Sequence, residues 1–462
     1  MTLQTSKRAL GSWRLLAAIA LPVMLVLASC GDSDDDGGDG DTGATTTAAE
    51  DGGAITTAAE EGGATTTAGG DDEGAAAGDD ECPNPATGEP IKLGDVTSAS
   101  GTNIFPESAN IAKLVFERYN CNGGVDGRPI ELISVDAQDT AEGAAAAARN
   151  LAEEQQVLGF CCSGSIVNCF TNAGYYSENG WEVIPGVEAC AEAPTVHPTN
   201  TGPFLPTYHM LDFFKYDLGA ENICFVGLNV PLTEFFQTVI IPTWEADSGS
   251  TVNQVIIEVG EDFTPAVTKL AADGCDAVEA AFTEPDYQAF FQIADAQGLT
   301  DQMAFGMLTS GYSLQLLEAA GDTLEGVYSN SEFEPYTGDE ATFSDEVKDY
   351  IALAEAGGQP LTSFGQGGYI SAHVVIQALE SIEGELTKES VNQAFKDVVY
   401  ETPLLGAPFM ATGSAAGIQP NATSLVLQVQ DGDFVRITDD WRVFPLPEEM
   451  RQTGGATATT EG

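Results

Sequence analysis

The chain has 462 residues, and its 71 Asp and Glu against 16 Lys and Arg give a formal net charge of −55. Nucleic-acid binding and electrostatic docking on an anionic membrane both need basic patches, so this composition argues against both. Hydrophobic residues make up 43% of the chain, which is enough for a core and excludes global disorder.

The first thirty residues indicate export. Three basic residues precede an apolar stretch at 15–27, which is too short to favour crossing a bilayer. It ends in Leu27-Ala28-Ser29-Cys30, which resembles a bacterial lipobox; the alternative is an ordinary signal peptide that happens to meet a cysteine. The lipobox predicts that Cys30 becomes a lipid-modified N-terminus, which anchors the protein at the outer face of the cell membrane, at the cell surface or in the periplasm.

Residues 31–87 form a predicted tether. Positions 31–81 hold 16 acidic residues and no Lys or Arg, and a motif that starts at Ala44 recurs imperfectly from Ala54 and Ala64. Its side chains are too small to bury a solenoid core, so we expect a disordered coil of roughly 40 Å rms span that lets a globular body move above the membrane. Residues 447–462 are expected to be a disordered tail.

The remaining residues, 82–462, are still strongly acidic. They hold 55 of the acidic and 13 of the basic residues, a net charge of −42. Such an acidic surface suggests a saline habitat, which a melting temperature that rises with salt would support.

The first half of this body alternates strand-like and helix-like segments. Ala112, Val115, Phe116 and Tyr119 follow the i, i+3, i+4, i+7 spacing of an amphipathic helix. Strands are predicted at 91–97, 130–135, 157–161 and 182–184, and helices around 112–119, 140–154 and 166–177.

A second run of the same kind begins near Glu221. Strands are predicted at 223–227, 254–259, 277–281 and 303–307, and helices at 234–244, 265–272, 287–296 and 313–320. Two such runs predict an α/β fold with two doubly wound parallel sheets. A further helix around 372–379 and a hairpin of 425–429 with 434–437 are expected near the end of the chain.

Eight cysteines follow Cys30, an even number that suggests disulfides in an exported protein. The alternative is a metal site, but Cys-x-x-Cys pairs are absent and the three histidines, His197, His209 and His373, are isolated, so no metal or other cofactor is expected. Cys224 and Cys275 flank strands of the second run, and Cys82 and Cys121 lie near the first strand; both pairs are disulfide candidates. Cys161 and Cys162 are adjacent, and their pairing stays open.

Catalytic motifs are missing from the sequence. There is no phosphate-binding Gly-x-x-x-x-Gly-Lys-Ser/Thr loop, no nucleophile elbow and no His-centred triad, so we expect no enzyme. Asp136 and Asp139 follow the second strand and suggest either a metal site or, more simply, capping of the next helix by Asp139 ahead of Thr140.

The body resembles a known family. The strand at 91–97, the turn "NGGVDGRPIEL" leading to "SVDAQDTAEGA", the loop "GFCCSGS" and the helix "DYQAFFQIADAQGL" are similar, in order and spacing, to type I periplasmic binding proteins. The nearest branch is the substrate-binding proteins of branched-chain amino-acid (Leu/Ile/Val) type ABC importers, over about residues 88–445.

The resemblance implies two α/β lobes with a ligand held in the cleft between them. Lobe 1 would comprise 88–206 and 335–407, and lobe 2 would comprise 207–334 and 408–446, with three crossings near 203–207, 333–336 and 404–410. It also implies a disulfide between Cys169 and Cys190, which Cys161 or Cys162 could compete for.

The ligand is expected beyond the carboxyl ends of the parallel strands. Ser163, Gly164 and Ser165 precede a helix, where hydroxyls and free amides suit a carboxylate. The alternative is that Ser163 and Ser165 only cap that helix. The candidates for ligand contact are Thr102, Asn103, Phe105, Ser163, Gly164, Ser165, Gly186, Glu188, Leu232, Thr283, Glu284, Thr309 and Tyr312.

The resemblance gives Ser163, Gly186 and Glu188 the task of holding an amino acid's carboxylate and ammonium groups. Three positions depart from the family pattern: Glu188 replaces a threonine, Phe105 replaces a tyrosine, and no carboxylate lies at Leu308 or Thr309. These departures disfavour an α-amino acid unless Glu188 supplies the counter-charge.

The sequence therefore predicts a monomeric lipoprotein that captures a small polar solute, such as an amino acid, an amide or a related carboxylate. It would deliver the solute to an ABC permease and its ATPase subunits. The alternative is a sensory module of the same fold that acts with a separate membrane receptor. A hydrolase is a third possibility, which turnover of the bound ligand would reveal.

Overall fold

A computed structural model describes residues 82–101, 104–188, 193–202, 204–411 and 421–443. The predicted signal peptide with Cys30, the tether up to residue 81, the tail at 447–462, Thr102, Asn103 and Cys190 lie outside these residues. Within the described ranges, no helix combines the length and the apolar character needed to span a membrane.

The first lobe is built on a four-stranded parallel sheet. Its elements are β1 (Ile91–Thr97), α1 (Glu107–Asn120), β2 (Ile130–Asp136), α2 (Ala141–Arg149), β3 (Gly159–Cys161), β4 (Gly164–Ser165), α3 (Val167–Glu178), β5 (Val183–Ile184) and β6 (Val187–Glu188). The strand order is β2-β1-β3-β5, while β4 and β6 form a separate parallel pair beyond the ends of β3 and β5. A π-helical turn at Asn150–Glu154 extends α2.

The second lobe repeats this arrangement on a larger scale. Its elements are α4 (Phe204–Asp212), β7 (Ile223–Leu228), α5 (Pro231–Phe235), α6 (Ile241–Ser248), β8 (Asn253–Ile257), α7 (Thr264–Asp273), β9 (Ala277–Ala281), α8 (Glu284–Ala296), β10 (Ala304–Met307), α9 (Leu314–Ala320) and β11 (Tyr328–Ser331). Strands β7 to β11 are parallel, in the order β11-β10-β9-β7-β8. The helix predicted at 234–244 is part of α5 and α6, which a π-helical segment joins.

The last part of the chain serves both lobes. It contains α10 (Asp345–Ala356), α11 (Ser363–Glu380), α12 (Lys388–Asp397), β12 (Val399–Tyr400), β13 (Phe409–Met410), β14 (Thr423–Gln430), β15 (Asp433–Arg436) and β16 (Arg442–Val443). Helix α11 packs against α1 of the first lobe, and Arg118 of α1 forms a two-pronged ion pair with Asp349 of α10 at 2.7 and 2.6 Å. Strands β14 and β15 join the second sheet as an antiparallel hairpin.

The predicted α/β class with two doubly wound lobes is confirmed. Two of the predicted crossings, 203–207 and 333–336, fall along the chain at the start of α4 and directly after β11, and they stay predictions. In the third predicted crossing, 404–410, the Leu404 carbonyl accepts a hydrogen bond from the Glu334 amide (2.9 Å), and β13 pairs with β12. Residues 412–420, which lead on to β14, are outside the described ranges, so the lobe boundaries stay predictions.

The N-cap of α2 is Thr140, so capping by Asp139 was a wrong prediction. The Thr140 hydroxyl accepts a hydrogen bond from the Gly143 amide at 3.0 Å. An N-cap residue needs an extended backbone; Thr140 has one (φ −128°), whereas Asp139 is left-handed (φ +50°).

Disulfides join Cys82 to Cys121 and Cys224 to Cys275, the two pairs suggested by their places near the strands. Cys169 is also disulfide-bonded, and its expected partner Cys190 is not among the described residues. Cys161 and Cys162 are buried free thiols.

One carboxyl group lies deep in the core of the second lobe. Glu279 of β9 is fully buried beside Gly306 of β10, and neither carboxyl oxygen has a hydrogen-bond partner in the part of the chain that the structure describes. Burial raises the pKa of Glu279 well above its ordinary value. The folded protein therefore keeps this proton at pH values where the unfolded chain has lost it, and stability should fall as pH rises above about 4.5.

Glu279→Gln should remove this pH dependence, because the amide mimics the protonated acid. We expect the variant's free energy of unfolding in urea denaturation, relative to the wild type, to rise as pH increases above about 4.5. The exposed control Glu383→Gln should keep the wild-type slope. Parallel slopes for Glu279→Gln and the wild type would show that Glu279 does not hold its proton in the fold.

Candidate functional site

A cleft of about 440 Å³ lies between the lobes, at the carboxyl ends of their parallel strands. Phe105 follows β1, Leu228 ends β7, and Leu308 follows β10. The lining residues come from lobe 1 (Phe105, Ile166, Val187, Glu188, Asn200, Phe364), from the connecting segments (Gly202, Pro206, Glu332) and from lobe 2 (Leu228, Val230, Leu232, Thr233, Phe236, Val259, Gly260, Ala281, Phe282, Thr283, Asp286, Leu308, Thr309, Ser310). The position matches the place where open parallel sheets bind ligands.

The walls of the cleft are mainly apolar. In lobe 1, the rings of Phe105 and Phe364 meet edge to face, with centroids 4.6 Å apart. Lobe 2 opposes them with aliphatic and aromatic side chains, including Leu232 and Phe282. Such walls favour a ligand with an apolar body, whose orientation the few polar groups would fix.

Glu188 is a polar group on the lobe 1 side, and its carboxyl group is already engaged. One oxygen accepts hydrogen bonds from the Ser163 hydroxyl (3.2 Å) and the Asn168 amide group (2.7 Å). The other oxygen accepts one from the Cys169 backbone amide (3.2 Å). Burial nevertheless outweighs these bonds and raises the pKa of Glu188 to about 8. Glu188 is therefore mostly neutral at pH 7.

Glu332 lies where β11 leads into the second crossing, and it is 1% exposed. One of its carboxyl oxygens accepts a hydrogen bond from the Thr201 amide (3.1 Å), while the other has no hydrogen-bond partner among the described residues. Burial raises the pKa of Glu332 to about 8, although Thr201 opposes the shift. A buried oxygen that lacks a donor and lies at the edge of a cleft can accept a hydrogen bond from a ligand.

The structure brings some predicted ligand contacts together in the cleft. Phe105, Glu188, Leu232, Thr283 and Thr309 all line it. Thr309 also reaches across the lobes, where its hydroxyl lies 3.0 Å from that of Ser363 on α11.

Other candidates for ligand contact do not line the cleft, and several of them are engaged by neighbouring residues of the protein instead. Ser163 donates to Glu188, and Ser165 accepts from the Asn168 amide at the start of α3 (3.2 Å). Gly164 pairs with Val187 in the small β4–β6 ladder. The remaining members of this group are Gly186, Glu284 and Tyr312.

Packing or hydrogen bonds within the protein account for the residue types at Gly186 and Tyr312. A Cβ on Gly186 would lie 2.2 Å from the Ser108 hydroxyl and 2.8 Å from the Gly368 amide, so close packing accounts for the glycine. The Tyr312 hydroxyl lies 3.0 Å from that of Thr337 and accepts from the Tyr336 amide (2.9 Å). Direct ligand contact by these residues stays a prediction.

Asp136 organises the loop after β1. Its carboxylate accepts hydrogen bonds from the amides of Ala99 (3.0 Å) and Ser100 (3.2 Å) and from the Ser100 hydroxyl (2.5 Å). Desolvation opposes this, but the hydrogen bonds lower the pKa of Asp136 below its ordinary value. No group of three or more His, Cys, Asp or Glu in the described ranges is arranged to hold a metal ion.

Sequence reasoning missed Asn200, Asp286, Glu332 and Phe364. Asn200 brackets Glu188, since its side chain donates to the Glu188 carbonyl and accepts from the Glu188 amide, both at 3.2 Å. The signal for Glu332 was its place beside a predicted crossing, but the preceding β11 (Tyr-Ser-Asn-Ser) lacks an apolar strand pattern.

Comparison with known proteins shows the family. The family model for periplasmic binding proteins matches residues 90–433, so the chain belongs to that family, as the sequence resemblance predicted. Leu/Ile/Val-binding protein homolog 7 of Brucella abortus is 22% identical over 392 residues, which cover 76% of this chain and 92% of that protein.

Solved structures share the fold. An ABC-transporter solute-binding protein from R. palustris, in complex with 4-hydroxybenzoate, has a TM-score of 0.63 at 20% identity and covers 76% of this chain and 97% of its own. The substrate-binding protein LivJ from Streptococcus pneumoniae, in complex with isoleucine, has a TM-score of 0.61 at 16% identity and covers 76% and 99%. At these identities the likeness shows the fold alone.

The contacts of Ser163 predict what its loss does. Ser163→Ala should lower the free energy of unfolding by about 1 kcal/mol, because Glu188 loses one of its three donors. The affinity for the solute that the purified protein retains should change less than about threefold, because the hydroxyl faces Glu188 and not the cleft. Chemical denaturation and calorimetric titration of one variant measure both quantities. A tenfold weaker affinity with unchanged stability would return Ser163 to direct ligand contact.

Proposed function

We propose that this protein is an extracytoplasmic solute-binding lipoprotein of an ABC importer. It captures one small molecule in the cleft between the lobes and presents it to a membrane permease with its own ATPase subunits. The observation that carries the proposal is the lining of the cleft by side chains of both lobes, such as Phe105 from one and Leu232 from the other. Membership of the periplasmic binding protein family supports the same function.

The size and walls of the cleft bear on the solute. A volume of about 440 Å³ falls within the usual range for small-molecule sites and suits a single metabolite. The structural neighbours from R. palustris and S. pneumoniae hold 4-hydroxybenzoate and isoleucine, respectively, each with an apolar body and few polar groups. The apolar walls here favour a solute of that general build over a highly polar one.

The lobes supply the means of capture. A solute that touches both lobes stabilises the arrangement in which they approach each other, because only then are all its contacts made. The hydrogen bond between the hydroxyls of Thr309 and Ser363, which the proposed bounds assign to different lobes, supports this arrangement. The described lining of the cleft contains no His, Cys or Lys to act as a catalytic base or nucleophile, so we expect binding without turnover.

Two apolar contacts, one from each lobe, test the two-sided capture. Phe105→Ala and Leu232→Ala should each weaken binding of the retained solute about tenfold, because each removes roughly 1–3 kcal/mol of apolar burial. The solute is first identified by native mass spectrometry of freshly purified protein, and its affinity is then measured by titration.

Phe170→Ala is the matched control for these two variants. Phe170 is 58% exposed on lobe 1 and does not line the cleft. Its loss should leave the affinity unchanged. If only one of the two cleft variants weakened binding, the solute would rest on one lobe and the proposed capture between lobes would fail.

The membrane anchor is tested separately. Cys30→Ala should move the protein from the membrane fraction to the soluble fraction and abolish its labelling by a radioactive fatty acid, because no acyl chain can then be attached. The folded body and its affinity for solute should not change. Continued fatty-acid labelling of the variant would contradict the lipobox assignment.

A further inference from the structure

We propose that the cleft selects a solute whose apolar body carries a protonated amine, and that the buried carboxyl group of Glu332 receives that amine. The inference rests on the proposed function and names the chemical class of its solute.

The first argument is the geometry of Glu332. The side chain is 1% exposed, lines the cleft and accepts a hydrogen bond from the Thr201 amide at 3.1 Å, and the Thr201 hydroxyl also lies near enough to lower the pKa of the carboxyl group. The second carboxyl oxygen has no partner among the described residues. A buried oxygen without a donor costs about 1–3 kcal/mol, and a ligand that donates to it recovers that cost.

The second argument is the charge of the cleft lining. Its ionisable residues are Glu188, Asp286 and Glu332, and the described lining contains no Lys, Arg or His. A carboxylate-bearing solute would therefore meet three acids and no cation. An amine would meet acids that become its counter-charge when they release their protons, and the acidic surface of the whole body would attract it on approach.

The third argument is that Glu332 differs from the other two acids of the lining. Glu188 accepts three hydrogen bonds from Ser163, Asn168 and Cys169. Asp286 accepts one from the Thr283 hydroxyl at 3.0 Å and is only partly buried, so water can reach its carboxylate. Glu332 is thus the acid of the lining with a buried oxygen that has no donor among the described residues.

Binding of the amine is expected to release a proton from Glu332. The pKa of Glu332 in the empty cleft is raised to about 8 by burial, so at pH 7 most of the carboxyl groups carry a proton. The solute arrives as an ammonium ion, and the ion pair forms when Glu332 releases its proton to the solvent. Glu188 and Asp286 share the lining, and Glu188 loses its proton over the same pH range, so the negative potential that favours an ammonium ion grows as pH rises. Affinity for the amine should therefore rise between pH 6 and pH 8.

A carboxylate solute would show the opposite behaviour. The protonated Glu332 would donate to it, one proton would be retained on binding, and affinity would fall over the same pH range. The sign of the pH dependence therefore separates the two classes of solute.

The test uses three probes with the same apolar body: phenethylamine, 3-phenylpropionate and the neutral 2-phenylethanol. Calorimetric titration at pH 7, in two buffers of different ionisation enthalpy, gives each affinity and the number of protons exchanged. We expect the amine to bind at least tenfold more tightly than the other two and to release up to one proton.

Two variants assign the preference to Glu332. Glu332→Gln should remove the tenfold preference and the proton release, while the affinity for 2-phenylethanol stays within about threefold of the wild type. Glu334→Gln is the matched control, because Glu334 lies two residues away, pairs with Arg436 at 3.2 Å and does not line the cleft. This control should keep the preference.

Three results would overturn the proposal. Tightest binding of 3-phenylpropionate would reject the amine but leave solute binding intact. A preference for the amine that survives in Glu332→Gln would reject Glu332 as the group that receives the amine. Failure of all three probes to bind would reject the amine class. If freshly purified protein also retained no small molecule in native mass spectrometry, the proposed function would fail with it.

Discussion

Burial of carboxyl groups without a cationic partner is the constraint on which this structure depends. Asp95, Glu188, Glu279 and Glu332 are all almost fully buried, and none forms an ion pair with a Lys or Arg of the described part of the chain. A chain with 71 acids and 16 bases has few cations to place inside. The interior acids must instead hold protons or accept hydrogen bonds from neutral donors, since an unpaired buried charge is very costly.

The same constraint shapes the region where the lobes join. The side chain of Asn421 donates to the carbonyls of Thr199 (3.0 Å) and Glu332 (3.2 Å), so it ties two connecting segments to the start of β14. A neutral amide side chain thus joins these segments by hydrogen bonds, where a less acidic protein could use an ion pair. Glu332 belongs to this junction. A solute bound there would contact the segments about which the lobes would move, and it would therefore stabilise one arrangement of the two lobes over others.

The repeating βα pattern was predictable because it depends on the spacing of apolar residues within short segments of the sequence. Apolar runs located β1, β7 and β9 to within a residue, and the i, i+3, i+4, i+7 spacing of Ala112 to Tyr119 located α1. Strand β11 was not predicted, because its Ser-Asn-Ser sequence has no apolar pattern and its burial comes from neighbouring strands. The cleft was predicted only in part, since the surroundings of Ser163 and Glu332 depend on residues 25 and 131 positions away, Glu188 and Thr201. Periodicity and spacing do not report such distant contacts.

A crystal structure of the protein with the solute that it retains on purification tests the central claim most directly. The account predicts one small molecule between Phe105 and Leu232, with its apolar body against both walls and a basic nitrogen within hydrogen-bond distance of the Glu332 carboxyl group. A solute bound outside this cleft, or one held by a single lobe, would contradict the account.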